Sequence, residues 1–85
     1  GMTVPPGPVM LVEDDAALAA AIAASLELAG HSVTIHHEGA AALAALDRRF
    51  AGVVVSDLRM PGLDGWQLFA AVQRLDPDLP IIFIT

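Results

Sequence analysis

Val53-Val54-Val55-Ser56-Asp57-Leu58-Arg59-Met60-Pro61-Gly62-Leu63-Asp64-Gly65 decides how the rest of the sequence is read. Three consecutive valines are β-branched and apolar, which suits a strand covered on both faces. A carboxylate follows, and then a Pro-Gly turn. Asp57 is therefore predicted at the C-terminal end of a strand, the edge of an open α/β sheet where ligands bind. Every other residue of interest is judged by whether it can reach this acid.

Upstream, Val9-Met10-Leu11-Val12 is a short continuous apolar run, too short for a stable helix, and it reads as a second buried strand. It ends in Glu13-Asp14-Asp15, so it too delivers carboxylates at its C-terminal end. From Ala16 to Ala29 helix propensity is high, with Asp15 as N-cap, a stripe of Leu18, Ile22 and Leu26, and Gly30 as the stop. Ser32-Val33-Thr34-Ile35-His36 alternates with period two, as a strand does. A second helix is predicted from about Ala40 to Arg48, with Leu43, Leu46 and Phe50 facing inward. Downstream of the central stretch, Asp64 caps a third helix from about Gly65 to Leu75, with Leu68, Val72 and Leu75 on one face. Ile81-Ile82-Phe83-Ile84 is a last apolar strand, ending in Thr85. Strands and helices thus alternate with short connections, which argues for a parallel sheet with helices on both faces.

Composition narrows the function. The 85 residues make one small domain, whose 55% hydrophobic and 16% charged content indicates a packed core rather than a disordered chain. Residues 1–8 form a Pro-rich irregular leader, in which Gly1 ahead of Met2 reads as an expression remnant, and residues 9–85 form the domain. No apolar run reaches membrane-spanning length, because Ser25 and Glu27 interrupt the longest candidate. The net charge of −6, with four arginines and no lysine, gives no means of holding a phosphate backbone or an anionic membrane. The absence of cysteine excludes disulfides and thiolate metal sites and suits a reducing cytoplasm.

In a parallel sheet all strand C-termini share one rim, so Glu13, Asp14, Asp57 and Thr85 are expected to converge. Carboxylates about 4 Å apart repel by roughly 4 kcal/mol at an effective dielectric near 20, so such a cluster needs a cation or a proton. With oxygen donors alone, Mg²⁺ is the natural occupant, held by few protein ligands and several waters. A carboxylate beside Mg²⁺ can act as a nucleophile toward phosphorus, and the Thr85 hydroxyl can bond to a phosphoryl oxygen.

The sequence here resembles the receiver domain of two-component response regulators. The resemblance rests on Val12-Glu13-Asp14-Asp15, on the Asp57-to-Gly65 segment with its D-x-x-M-P-x-x-D-G pattern, and on Ile84-Thr85. It implies that Asp57 is the phosphoacceptor, Asp14 a direct Mg²⁺ ligand, Glu13 a ligand through water, the Arg59 backbone carbonyl a further ligand, and Thr85 the switch hydroxyl. It also implies a flavodoxin-like doubly wound sheet of order 2-1-3-4-5, a known example of that order. A fifth strand with an aromatic switch residue, and a lysine after it, would follow Thr85, so the domain is expected to be incomplete at its C-terminus and weakly phosphorylated at best in this form. The implied partners are a sensor histidine kinase and an attached or separate output domain that binds DNA, with a homodimer as a further option. Arg59-Met60-Pro61-Gly62, Trp66 to Phe69 and Leu75 to Pro80 look most like receivers that precede sigma-54-type transcriptional activators.

Plainer readings stand beside these. Asp57 alone is a strand-end turn residue, Asp15 and Asp64 are helix caps, and Thr85 alone is unremarkable. His31, His36 and His37 lie around the second strand, away from the acidic edge, and read as solvated surface groups. Arg48-Arg49 is too short for a nucleic-acid patch. Two other functions compete: a haloacid-dehalogenase-like phosphotransferase or phosphatase working through an aspartyl phosphate, and a degenerate receiver that only dimerises. The first usually carries an acid two residues after its nucleophile, where this chain has Arg59.

Overall fold

The structure, a computed structural model, describes residues 7–84. Most of the predicted leader, residues 1–6, and Thr85 lie outside the described residues. In chain order the elements are β1 (Val9–Val12), α1 (Ala16–Leu28), β2 (Val33–His36), α2 (Gly39–Ala45), β3 (Val53–Ser56), α3 (Gly65–Leu75) and β4 (Ile81–Phe83). The four strands form one parallel sheet in the order β2-β1-β3-β4, the arrangement implied by the family resemblance. Val9 pairs with Val33 on one side and Val53 on the other, and Val54 pairs with Ile81.

Period-two alternation along the central strands divides the core between the two faces. Met10, Val12 and Val54 pack with Ala42 and Leu46 of the α2 region and with Leu68 and Val72 of α3. Leu11 turns the other way, against Ala19 and Ala23 of α1, with Ile22, Val33, Ile35 and Val55 around it. Leu11 is 0% exposed, and complete burial of a side chain of this kind stabilises by roughly 1.5–3 kcal/mol.

Two sequence expectations need correction. The face that α1 buries runs through Ala19 and Ala23 with Ile22, while Leu18 is 46% exposed and Leu26 only half-buried. In so alanine-rich a helix, apolar residues lie nearly all round, and it is the small side chains that allow close approach to the sheet. Helix α2 also ends earlier than Arg48, at Ala45. Asp47 stops it: its Oδ1 accepts the Arg49 N–H at 2.7 Å, and its carbonyl accepts the Phe50 N–H at 3.2 Å. Such a local turn competes with continued helix.

The other helix ends follow expectation. Asp15 Oδ1 accepts the Leu18 N–H at 3.0 Å to open α1. At its far end Gly30 adopts φ 97°, and the N–H groups of Gly30 and His31 return to the carbonyls of Glu27 and Leu26, a Schellman closure that needs a left-handed residue. Asp64 opens α3 with a reciprocal capping box to Gln67. Among the described residues no helix is long and apolar enough to cross a membrane.

Candidate metal centre

Parallel pairing brings the acids together. The Glu13 N–H donates to the His36 carbonyl at 3.0 Å and the Asp57 N–H to the Val12 carbonyl at 3.1 Å, so the ends of β1, β2 and β3 lie at one rim. There Glu13, Asp14 and Asp57 each present a carboxylate oxygen, all within 4.8 Å of one another. Glu13 is 2% exposed, Asp57 half-buried and Asp14 exposed. Three oxygen donors, graded from buried to open, fit a hard divalent cation that keeps part of its water shell.

The same crowding acts on Glu13. Desolvation by burial raises its carboxyl above the ordinary 4.5, Asp14 and Asp57 add to the rise, and the Asp15 N–H donated to Oε2 at 3.1 Å opposes it. A carboxyl raised in the folded state contributes stability that is fully present below the unfolded value and lost as pH rises through the folded one. The metal-free protein should therefore lose stability, relative to Glu13→Gln, as pH climbs above about 4.5 and through the raised value of the folded state. Added Mg²⁺ should narrow the gap, because it offsets the Glu13 charge and so stabilises the wild type more than Glu13→Gln. Melting temperatures across that range, with and without the ion, check both statements.

Asp57 is held from several sides. The hydroxyl of Ser56, a residue 0% exposed, donates to the Asp57 carbonyl at 2.9 Å. The Arg59 N–H donates to Asp57 Oδ1 at 3.1 Å, which turns the chain directly after the strand. The Gly65 N–H donates to the Leu58 carbonyl at 3.0 Å. A Cβ on Gly65 would stand 2.6 Å from the Asp57 carbonyl oxygen and 2.7 Å from the Leu58 Cα. Only glycine lets the first turn of α3 close on the loop that carries the acid. The Asp64-Gly65 pair thus combines a helix cap with this contact.

The structure brings together three of the residues singled out in the sequence, Glu13, Asp14 and Asp57, and puts Arg59 in the adjoining loop. Ile84, whose N–H donates to the Ser56 carbonyl at 3.0 Å, brings β4 to the same region, and Thr85 beyond it lies outside the described residues. The expectation that all three histidines lie away from the acidic edge fails for His37. Its Nδ1 is 3.0 Å from the Glu13 carbonyl oxygen, because parallel β2 ends on the same rim as β1. Sequence reasoning also gave Ser56 no role, although a hydroxyl at the end of a wholly apolar run was the available signal. Trp66 is 64% exposed, and its ring centroid lies 5.5 Å from that of Phe83.

Residues 9–85 match the response regulator receiver domain family. The C4-dicarboxylate transport transcriptional regulatory protein DctD of Rhizobium meliloti (strain 1021) is 49% identical over 91% of this chain and 17% of that protein. The DNA-binding transcriptional regulator NtrC of Escherichia coli (strain K12) is 37% identical over 93% of this chain and 17% of its own length. This chain therefore spans less than a fifth of either relative. Among solved structures, full-length FixJ from B. japonicum superposes with a TM-score of 0.86 at 36% identity, covering 96% of this chain and 40% of that one. The non-phosphorylated HemR receiver domain from Leptospira biflexa gives 0.84 at 28% identity, covering 91% and 62%.

Proposed function

This chain belongs to the response regulator receiver domain family of two-component signalling, and on that premise we propose that Asp57 accepts a phosphoryl group from the phosphohistidine of a sensor kinase. A carboxylate oxygen of Asp57 attacks phosphorus, the P–O bond forms as the P–N bond breaks, and the electron pair returns to the imidazole nitrogen. The observation that carries this reading is the gathering of Glu13, Asp14 and Asp57 within 4.8 Å at the sheet rim. Asp14 and Asp57 would hold Mg²⁺ directly, Glu13 through water, and the Arg59 carbonyl would complete the protein's share. Bound there, the ion would supply positive charge that offsets the negative charge on the phosphoryl oxygens. Burial of Glu13 keeps one carboxylate fixed in place, and the Arg59 N–H holds Asp57 in one orientation.

In this reading Thr85 supplies the hydroxyl that moves toward the new phosphoryl charge and relays the change to an output module, in the cytoplasm. Coupling of this kind is typically worth about 1–3 kcal/mol, enough to shift a two-state population. A DNA-binding output of the sigma-54-dependent transcriptional activator type is supported by relatives whose names are transcriptional regulators. Homodimerisation through the receiver is compatible with that arrangement.

The test is to incubate the full-length protein with Mg²⁺ and acetyl phosphate and measure its mass. A single phosphoryl adduct per chain supports a receiver. Steady hydrolysis of the donor at enzymatic rates would point to a phosphatase, and no adduct at all to a degenerate receiver.

A further inference from the structure

We infer that His37 is a positioning residue for the divalent-cation site: its Nδ1–H fixes the peptide unit that joins Glu13 to Asp14. The inference rests on the reading that these acids hold the cation. A carbonyl oxygen only accepts, so the 3.0 Å contact with the Glu13 oxygen requires the hydrogen on Nδ1. The Glu13 carbonyl and the Asp14 N–H belong to one planar unit, so holding the oxygen sets the plane from which Asp14 departs. The preceding peptide is fixed separately, by the Glu13 N–H donated to the His36 carbonyl at 3.0 Å. Consecutive residues of β2 and its exit, one through its backbone and one through its ring, thus grip both sides of Glu13.

This grip matters because Asp14 is the exposed member of the cluster. Glu13 is anchored by burial and Asp57 by the Arg59 N–H, whereas the direction of Asp14 depends on the backbone that carries it. A group that orients a metal-binding residue commonly changes affinity by about 10–100-fold, and the solvent exposure of His37 places it below that range, at about fivefold.

Mn²⁺ alone, titrated into the full-length protein with the free ion read by electron paramagnetic resonance, measures the effect. His37→Ala should weaken binding about fivefold, and His37→Asn, whose side-chain N–H lies where Nδ1–H was, should restore it to within about twofold. His37→Asp places an acceptor against the carbonyl and should not restore it. Equal affinity in the wild type and His37→Ala overturns the inference, as does failure of His37→Asn to rescue. If wild-type binding is absent or indifferent to Asp14→Asn, the reading of the cluster itself falls and the inference with it.

Discussion

Asp57→Asn should abolish the phosphoryl adduct while leaving the receiver folded and, without metal, somewhat more stable than the wild type. The amide keeps the shape of the carboxylate, and its oxygen can still accept the Arg59 N–H that Asp57 Oδ1 accepts at 3.1 Å. What it lacks is the anionic nucleophile, and no neighbour replaces it: Glu13 is buried with one oxygen engaged by the Asp15 N–H, and Asp14 in this reading is engaged as a ligand of the cation. The gain in metal-free stability arises from removing one of three like charges. At the separations seen here each repulsion is about 3–4 kcal/mol at an effective dielectric near 20, and screening at this open rim reduces the net gain to about 1 kcal/mol. Mass measurement after incubation with acetyl phosphate and Mg²⁺, paired with thermal unfolding in a chelator, reads both. An adduct persisting on the variant would move the acceptor elsewhere.

Asp14→Asn should reverse its effect on stability according to the ion. In a chelator the variant should melt above the wild type, because an exposed charge has left the cluster. At Mg²⁺ a hundredfold above the wild-type dissociation constant, binding stabilises the wild type by about 2.7 kcal/mol, and a variant weakened about a hundredfold receives less than a fifth of that. The order of the two melting temperatures therefore inverts between the conditions. Two parallel curves, with or without the ion, would show that Asp14 is not a ligand.

Much of this was legible along the chain because the signals are local and redundant. Val53-Val54-Val55 is too apolar for anything but a covered strand, and Asp15, Gly30 and Asp64 mark helix ends by chemistry that acts over three or four residues. The convergence of Glu13, Asp14 and Asp57 was legible at one remove, since it needs only the rule that parallel strands end on a common rim. What stayed hidden depends on which atoms meet across the sheet. The choice of Ala19 and Ala23 over Leu18 for burial is settled by how closely α1 can approach Leu11, a distance with no trace in periodicity. The link from His37 to Glu13 spans 24 positions and follows from the register of β1 on β2. Gly65 was placed at a helix start, yet its need to be glycine comes from the backbone of Asp57 and Leu58 lying against it.

The claim on which all of this depends is that Glu13, Asp14 and Asp57 serve one cation beside the phosphorylatable side chain. Crystals of the full-length protein grown with Mn²⁺, with data collected at the manganese absorption edge, address it directly. The expected result is a single anomalous peak at this rim, at about 2.0–2.6 Å from oxygens of Asp14 and Asp57, the range for hard divalent cations on oxygen ligands. A peak elsewhere, or an ordered rim whose acids stay ion-free at saturating Mn²⁺, would contradict it.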